Sequence, residues 1–205
     1  MIRLRSFSGK TLAVMGLGRS GLATAHSLLQ GGADVRAWDD NKARRNDAAH
    51  VGLATTDISN TTWSEIDSLV LSPGIPHTHP TPHPVAAQAR AAGVEIIGDI
   101  ELLAREQTNA QFIGITGTNG KSTTTALIGH ILETAGEPAQ VGGNRGCPAL
   151  QLDPQDVPGT KRRRHVLEMS AFPMDLTPNQ AFTPAILFEQ SPDEQQWKGA
   201  AYYTP

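Results

Sequence analysis

The sequence predicts an α/β protein built from two parallel-sheet units in tandem. Three observations point there. Short apolar runs of strand length alternate with helical patterns through the first half of the chain. A glycine loop, Gly16-Leu-Gly18-Arg-Ser-Gly21, joins the first such run to the first helical pattern. A second glycine-rich turn, Gly114-Ile-Thr-Gly-Thr-Asn-Gly-Lys-Ser-Thr123, repeats the strand–turn–helix order further on. Strands that alternate with helices pair in parallel, and the helices cover both faces of the sheet.

Thr11 to Met15 is a short apolar strand. Ser20 to Gln30 carries Leu22, Ala25, Leu28 and Leu29 on one helical face, and Gly31-Gly32 stops it. Ala33 to Trp38 reads as the next strand, and Asp67 to Leu71 as a third that ends at Ser72-Pro73-Gly74. Pro84 to Ala92 is an Ala-rich helix closed by Gly93, followed by a strand from Val94 to Ile97. Asp99 to Glu106 reads as a short helix and Thr108-Asn109 as a linker. The second unit starts at the strand Gln111 to Ile115, followed by a helix from Ser122 to Ala135. Strands at Ala139 to Val141, Val166 to Met169 and Ala185 to Phe188 complete it. The expected division is residues 1–98, a connector at 99–110, and 111–205.

The first loop is G-x-G-x-x-G in its proper setting, between a strand and a helix, which makes the first unit Rossmann-like. Asp39 and Asp40 close the next strand, near the ~20-residue offset of a ribose-binding acid. Taken alone this suggests NAD. The physics is only a turn, a helix N-terminus and an anion, so any nucleotide diphosphate suits it, and so does a tight turn with no ligand. Arg19 at the helix start can pair with a diphosphate or stay solvated.

The second loop departs from G-x-x-x-x-G-K-[ST], which would place a glycine at position 115, here Ile115. Gly117 carries that role instead. Thr116, Gly117, Thr118, Asn119, Gly120, Lys121, Ser122 and Thr123 read as a phosphate cradle. Backbone N–H groups and the positive helix end face the phosphates, Lys121 adds a mobile charge, and the Ser122 hydroxyl suits Mg²⁺. The alternative is an ordinary strand-to-helix turn. On the cradle reading the second unit is a partial P-loop-type α/β ATPase domain. A dehydrogenase needs only the first loop and a simple ATPase only the second; a kinase or ligase acting on a nucleotide-linked substrate uses both.

Composition narrows the classes. A charged fraction of 18% and a net charge of −3 give no bulk affinity for nucleic acid. The single cysteine, Cys147, excludes a disulfide framework and fits a reducing cytoplasm; it reads as a small hydrophobe. No apolar run reaches the ~20 residues of a membrane helix. We expect a cytoplasmic monomer without membrane insertion. The Lys161-Arg162-Arg163-Arg164 run reads as a solvated loop before a strand, with an anionic-ligand patch as the alternative.

The two loops, together with Ser72-Pro-Gly-Ile-Pro76, Ile97-Gly-Asp-Ile-Glu-Leu-Leu103, Val141-Gly-Gly-Asn144 and Val166-Leu-Glu-Met-Ser170, resemble the Mur ligases in order and over residues 7 to 192. The Ser-Pro-Gly-Ile and Gly-Asp-Ile-Glu-Leu segments favour the D-glutamate-adding branch. The resemblance implies an ATP-dependent amide ligase of peptidoglycan synthesis, joining D-glutamate to UDP-N-acetylmuramoyl-L-alanine through an acyl phosphate. It implies that residues 116–123 bind ATP and that Ser122 and Glu168 hold Mg²⁺. Lys121, Glu168, Asn144 and Ser170 would be catalytic, with Asn144 and Ser170 near the reacting carboxylate. Gly18, Arg19, Ser20, Asp39, Asp40, Gly74 and Asn144 would hold the UDP-sugar. Glu168 also stands out independently as a lone carboxylate inside an apolar strand, the kind of oxygen donor a hard cation takes.

Departures from the pattern are specific. The metal-binding His of the family is Glu194 here, within Glu189-Gln-Ser-Pro-Asp-Glu194. The usual E-x-S-S-[FY]-Q is Glu168-Met-Ser-Ala-Phe-Pro173, and Arg145 replaces an apolar residue. The family continues well beyond Pro205, so the expectation is little or no ligase activity from these residues alone. A non-catalytic nucleotide-binding fragment and an NAD-dependent oxidoreductase remain the alternatives. Finally, His77, His79 and His83 lie in a Pro/Thr-rich stretch. Three such histidines suit a metal, but an extended loop ahead of a helix is the preferred reading.

Overall fold

A computed structural model describes residues 1–144, 146–154, 162–169, 176–177 and 185–187. In chain order the elements are β1 (Thr11–Met15), α1 (Arg19–Gly31), β2 (Asp34–Trp38), α2 (Lys42–His50), β3 (Ser68–Leu71), α3 (Pro84–Ala91), β4 (Glu95–Ile97), α4 (Asp99–Glu106), β5 (Gln111–Thr116), α5 (Lys121–Thr134), β6 (Ala139–Gly143), β7 (Arg164–Glu168) and β8 (Ala185–Leu187), with single 3-10 turns between some of them.

They form two four-stranded parallel sheets, ordered β2-β1-β3-β4 and β6-β7-β5-β8. The predicted α/β class with parallel sheets is what the chain adopts. In the first sheet the strand order reverses between β1 and β3, the position beyond whose carboxyl ends open parallel sheets bind ligands. Met15 pairs in register with Trp38 and with Leu71, which brings Gly16, Asp39 and Ser72 to one edge. In the second sheet Glu168 is in register with both Ile115 and Gly143, so the ends of β5, β6 and β7 also share an edge.

The period-2 rule accounts for the core. Leu12 and Val14 of β1 pack on one side with Ala25 and Leu28 of α1, while Ala13 and Met15 pack on the other with Val85, Ala86 and Ala89 of α3. The first of these cores continues into the second unit through Ile100, Leu102, Leu103, Phe112, Leu150, Leu167 and Met169. The N-terminal residues stitch it together. Ile2 and Leu4 are fully buried, the Ile2 amide donates to the Leu150 carbonyl at 2.8 Å, and the Leu4 amide donates to the Ser27 carbonyl at 3.1 Å. The segment 99–110, expected as a connector, thus contributes α4 to a shared core.

The helix α2 was absent from the sequence reading. Its composition shows why: Lys42–His50 buries only Ala48 and has no apolar stripe. It is held at its start instead, where the Asn41 side chain caps the Ala43 amide at 2.8 Å. Arg45 also donates to the carbonyls of Asp39 and Asp40, at 2.6 and 2.9 Å, with its guanidinium 4.3 Å over the Trp38 ring.

Buried ionisable groups bear on stability. Arg105 of α4 makes a two-pronged ion pair with Glu95 of β4 (2.6 and 3.0 Å) and reaches the fully buried Glu101 at 2.8 Å. The guanidinium holds the Glu95 carboxyl below its ordinary range. His165 lies at the heart of the second sheet, stacked on Phe112, and neither ring nitrogen has a hydrogen-bond partner among the described residues. Burial pushes it down to about 4.

Candidate functional site

The first glycine loop is shaped by contacts only glycine permits. Gly16 has φ +91°, and a Cβ there would sit 2.9 Å from the Ser72 Cβ. A Cβ on Gly21 would lie 1.8 Å from the Gly16 carbonyl oxygen, so that glycine sets how closely α1 approaches the strand end. At Gly18, by contrast, a Cβ would meet nothing within 4 Å, which leaves the middle of the loop open to a ligand. The Ser72 hydroxyl fixes the loop from the β3 side by donating to the Gly16 carbonyl at 2.7 Å. Gly74 (φ +94°) is likewise open at the same edge.

Asp39 and Asp40 end up with different tasks. Asp39 is buried and its carboxylate is used internally. One oxygen accepts from the Leu17 amide at 2.7 Å, the other from the Asn41 amide at 2.8 Å, and Arg44 stands 3.3 Å away. It ties the glycine loop to the start of α2. Asp40 is exposed, with one carboxylate oxygen 3.0 Å from His83 Nε2. Arg19 is exposed at the start of α1 and donates to the Gly146 carbonyl at 2.9 Å, a contact that reaches the second unit; Ser20 beside it accepts through its carbonyl from the Thr24 hydroxyl.

The second loop follows β5. Gly117 and Gly120 have φ of +136° and +81°, values that favour glycine. Thr116 and Gly117 are buried, whereas Asn119, Gly120, Ser122 and Thr123 are exposed. Lys121 folds back over the loop, donating to the Gly117 carbonyl and, at 2.9 Å, to the Thr118 carbonyl. Across the edge, the Asn144 amide donates to the Glu168 carbonyl at 2.8 Å, and a Cβ on Gly143 would lie 2.2 Å from that same oxygen. The glycine therefore allows β6 to close on β7 and sets Asn144 beside buried Glu168. Ser170, Arg145 and Glu194 lie outside the described residues.

Both loop helices share an electrostatic signature. The first turns of α1 and α5 have a glycine N-cap, no side-chain cap and no acidic residue. In contrast, Asn41 caps α2, His83 caps α3, and α4 has Asp99 and Glu101 in its first turn. Uncapped amides together with the positive helix end favour an anion. A hard divalent cation beside a phosphate also has suitable donors: the Glu168 carboxylate at the end of β7 and the Ser122 hydroxyl in the first turn of α5.

The histidine stretch does not form a metal centre. Among the described residues no group of three His, Cys, Asp or Glu side chains could hold a metal ion. His77 is buried with its carbonyl accepting from Arg90, while His83 opens α3. Sequence reading missed Arg44, Arg45, His83 and Gly146 as neighbours of the loops. Arg45 had a weak signal, its four-residue spacing from Asn41; His83 had one in its place before Pro84, which suits a helix start.

Two family models match in succession, one described as Mur ligase MurD-like, N-terminal domain, over residues 10–98, and one as Mur ligase middle domain, over 115–186. The chain belongs to the Mur ligase family. Among its Mur ligase relatives, the UDP-N-acetylmuramoylalanine–D-glutamate ligase of Nitrobacter hamburgensis is 51% identical over 197 residues, covering 94% of this chain and 41% of its own. The enzymes of that name from Rhizobium meliloti and Rhodospirillum rubrum are 50% and 46% identical, again over 94% of this chain, covering 42% and 41% of their own. This chain therefore spans about two fifths of the length of the curated relatives it matches. Among solved structures, the UDP-N-acetylmuramate:L-alanyl-gamma-D-glutamyl-meso-diaminopimelate ligase from Neisseria meningitides overlaps 78% of this chain and 52% of its own at TM-score 0.48 and 19% identity. No helix among the described residues is long and apolar enough to cross a membrane.

Proposed function

We propose that this chain is the nucleotide-handling part of an ATP-dependent ligase that joins D-glutamate to UDP-N-acetylmuramoyl-L-alanine in peptidoglycan synthesis. The observation that carries the reading is the pair of uncapped glycine-loop helices, each at the carboxyl edge of its own parallel sheet, with Lys121 and Glu168 at the second. The roughly 50% identity to D-glutamate ligases supports the choice of substrates. Residues 1–98 form the UDP-sugar unit, 99–110 the connection, and 111–205 the front part of the ATP unit. The chain works in the cytoplasm as a monomer.

At the first edge, the α1 amides and Gly18 receive the diphosphate. Arg19 and Ser20 flank it, Asp40 and Gly74 border the nucleoside, and Asp39 keeps the loop in shape. At the second edge, residues 116–123 wrap the ATP phosphates, and Lys121 exchanges its loop carbonyls for the outer phosphates. Asn144 and Ser170 hold the substrate carboxylate for attack on the terminal phosphorus, which gives an acyl phosphate and ADP. The amine of D-glutamate then attacks the acyl carbon, phosphate leaves and a proton is lost. Ser122 and Glu168, with Glu194, would hold Mg²⁺, which when bound supplies neutralising charge on the transferring phosphoryl group.

The 205 residues bind both nucleotides but do not complete the reaction. The test is phosphate release by the purified chain with ATP, Mg²⁺, UDP-N-acetylmuramoyl-L-alanine and D-glutamate. No turnover above background is expected. Turnover that Lys121→Ala abolishes would overturn the claim of inactivity.

A further inference from the structure

His83 belongs to neither glycine loop, yet it touches two things at once. Its Nδ1 accepts from the Val85 amide at 3.3 Å, which makes it the N-cap of α3. Its Nε2 lies 3.0 Å from an Asp40 carboxylate oxygen. The first contact decides the second. A ring nitrogen that accepts an amide proton carries none itself, so in the neutral ring Nε2 bears the hydrogen and donates to Asp40. The ring is mostly buried, with 16% of its side chain exposed, whereas the Asp40 side chain is 68% exposed.

The main chain under Asp40 is held separately. Arg45 grips the carbonyls of Asp39 and Asp40 while lying over Trp38. Backbone and one carboxylate oxygen are therefore fixed, and the other oxygen has no protein partner among the described residues. Asp39, the other acid at this strand end, has both oxygens committed to backbone amides. The exposed, half-used carboxylate at the carboxyl end of β2 is Asp40. Such a group recognises a hydrogen-bond donor, and a ribose hydroxyl is the donor a nucleoside diphosphate presents there.

We propose that His83 is a positioning residue that orients Asp40 for recognition of the ribose of the nucleotide bound at the first glycine loop. The proposal rests on the nucleotide reading of that loop and adds to it the residue that tunes its selectivity. Asparagine separates the two contacts of His83. Its side-chain oxygen can cap Val85, as Asn41 caps α2, but it is too short to reach Asp40 as the ring does.

The experiment is calorimetric titration of the chain and of the His83→Asn, Asp40→Ala and double variants with UDP and with 2′-deoxy-UDP, alongside thermal unfolding. His83→Asn and Asp40→Ala should each weaken UDP binding by roughly tenfold, as expected for a lost charge-assisted hydrogen bond. The double variant should be no weaker than Asp40→Ala alone, and the preference for UDP over the deoxy form should shrink in all three. The unfolding midpoint of His83→Asn should match the parent. Additive losses, or a loss that tracks a fallen midpoint, would overturn the positioning role. UDP affinity unchanged in every variant would overturn it while leaving the nucleotide reading intact. Absence of any UDP binding by the parent would overturn both.

Discussion

The ammonium of Lys121 donates to the carbonyl oxygen of Thr118 at 2.9 Å, within the loop that the lysine itself closes. Among the described residues Lys121 is held by carbonyls of its own loop alone, and such a lysine can change partners at small cost when phosphate arrives. Lys121→Ala should therefore weaken ATP–Mg²⁺ binding by about tenfold or more, because a point charge on the phosphates is lost. It should leave the unfolding free energy within about 0.5 kcal/mol of the parent. Calorimetric titration paired with urea unfolding checks both halves.

Gly18 and Gly21 stand three residues apart and should respond in opposite ways. Gly21→Ala drives a Cβ to 1.8 Å from the Gly16 carbonyl oxygen, so α1 or the loop must move. We expect about 1–3 kcal/mol of lost stability, the usual scale of overpacking. Gly18→Ala meets no protein atom within 4 Å and should fold normally. Its methyl group would instead stand in the path of a diphosphate, so the UDP affinity should fall while the unfolding midpoint holds.

The acid response of this fold is expected to be a near-cancellation. Burial holds His165 at about 4 against an ordinary 6.5, so the folded state resists its protonation. That contribution is complete above pH 6.5 and is lost as the pH falls toward 4. Burial raises Asp99 to about 6 against an ordinary 3.8, in spite of the amide donation from Ile100. Its contribution runs the other way: complete below pH 3.8 and lost as the pH rises through 6. Each amounts to about 3 kcal/mol at its limit. The parent should show a shallow profile between pH 6.5 and 4. Asp99→Asn should lose stability steeply on acidification and His165→Leu should gain it, as read by unfolding midpoints across that range.

Arg105 should matter more than its partly exposed position suggests. Arg105→Ala removes the guanidinium from fully buried Glu101 and from Glu95 together. Breaking a buried pair by deleting one partner costs about 3–5 kcal/mol; the exposed half toward Glu95 places the expectation near 3. Chemical unfolding of the variant measures it.

The sheet strands and the two glycine loops were legible because their signals are local. Thr11–Met15 and Gln111–Thr116 are apolar runs that lead directly into the glycines that turn the chain. What stayed hidden depends on distant partners. Ile2 and Leu4 alternate with Arg3 and Arg5 like many exposed termini; only the tertiary structure supplies the cover from α1 and from Leu150 that buries them. The helix α2 has a cap but no apolar face, so periodicity could not reveal it. Asp39 and Asp40 look alike in sequence. They part because the Leu17 amide lies beside one, and His83, more than forty residues on, beside the other. Of the basic run, Arg163 and Arg164 are engaged with Asp153 and Glu137, an ordinary use of charge at the start of β7.

The central claim is that one chain carries two separate nucleotide sites, one for a UDP-sugar and one for ATP. Isothermal titration with UDP-N-acetylmuramoyl-L-alanine, and separately with ATP–Mg²⁺, tests it most directly. The account predicts one site for each ligand, with Lys121→Ala weakening ATP binding by about tenfold or more and sparing the other. Heat from NADH at the first loop with none from the UDP-sugar, or competition between the two nucleotides for a single site, would contradict it.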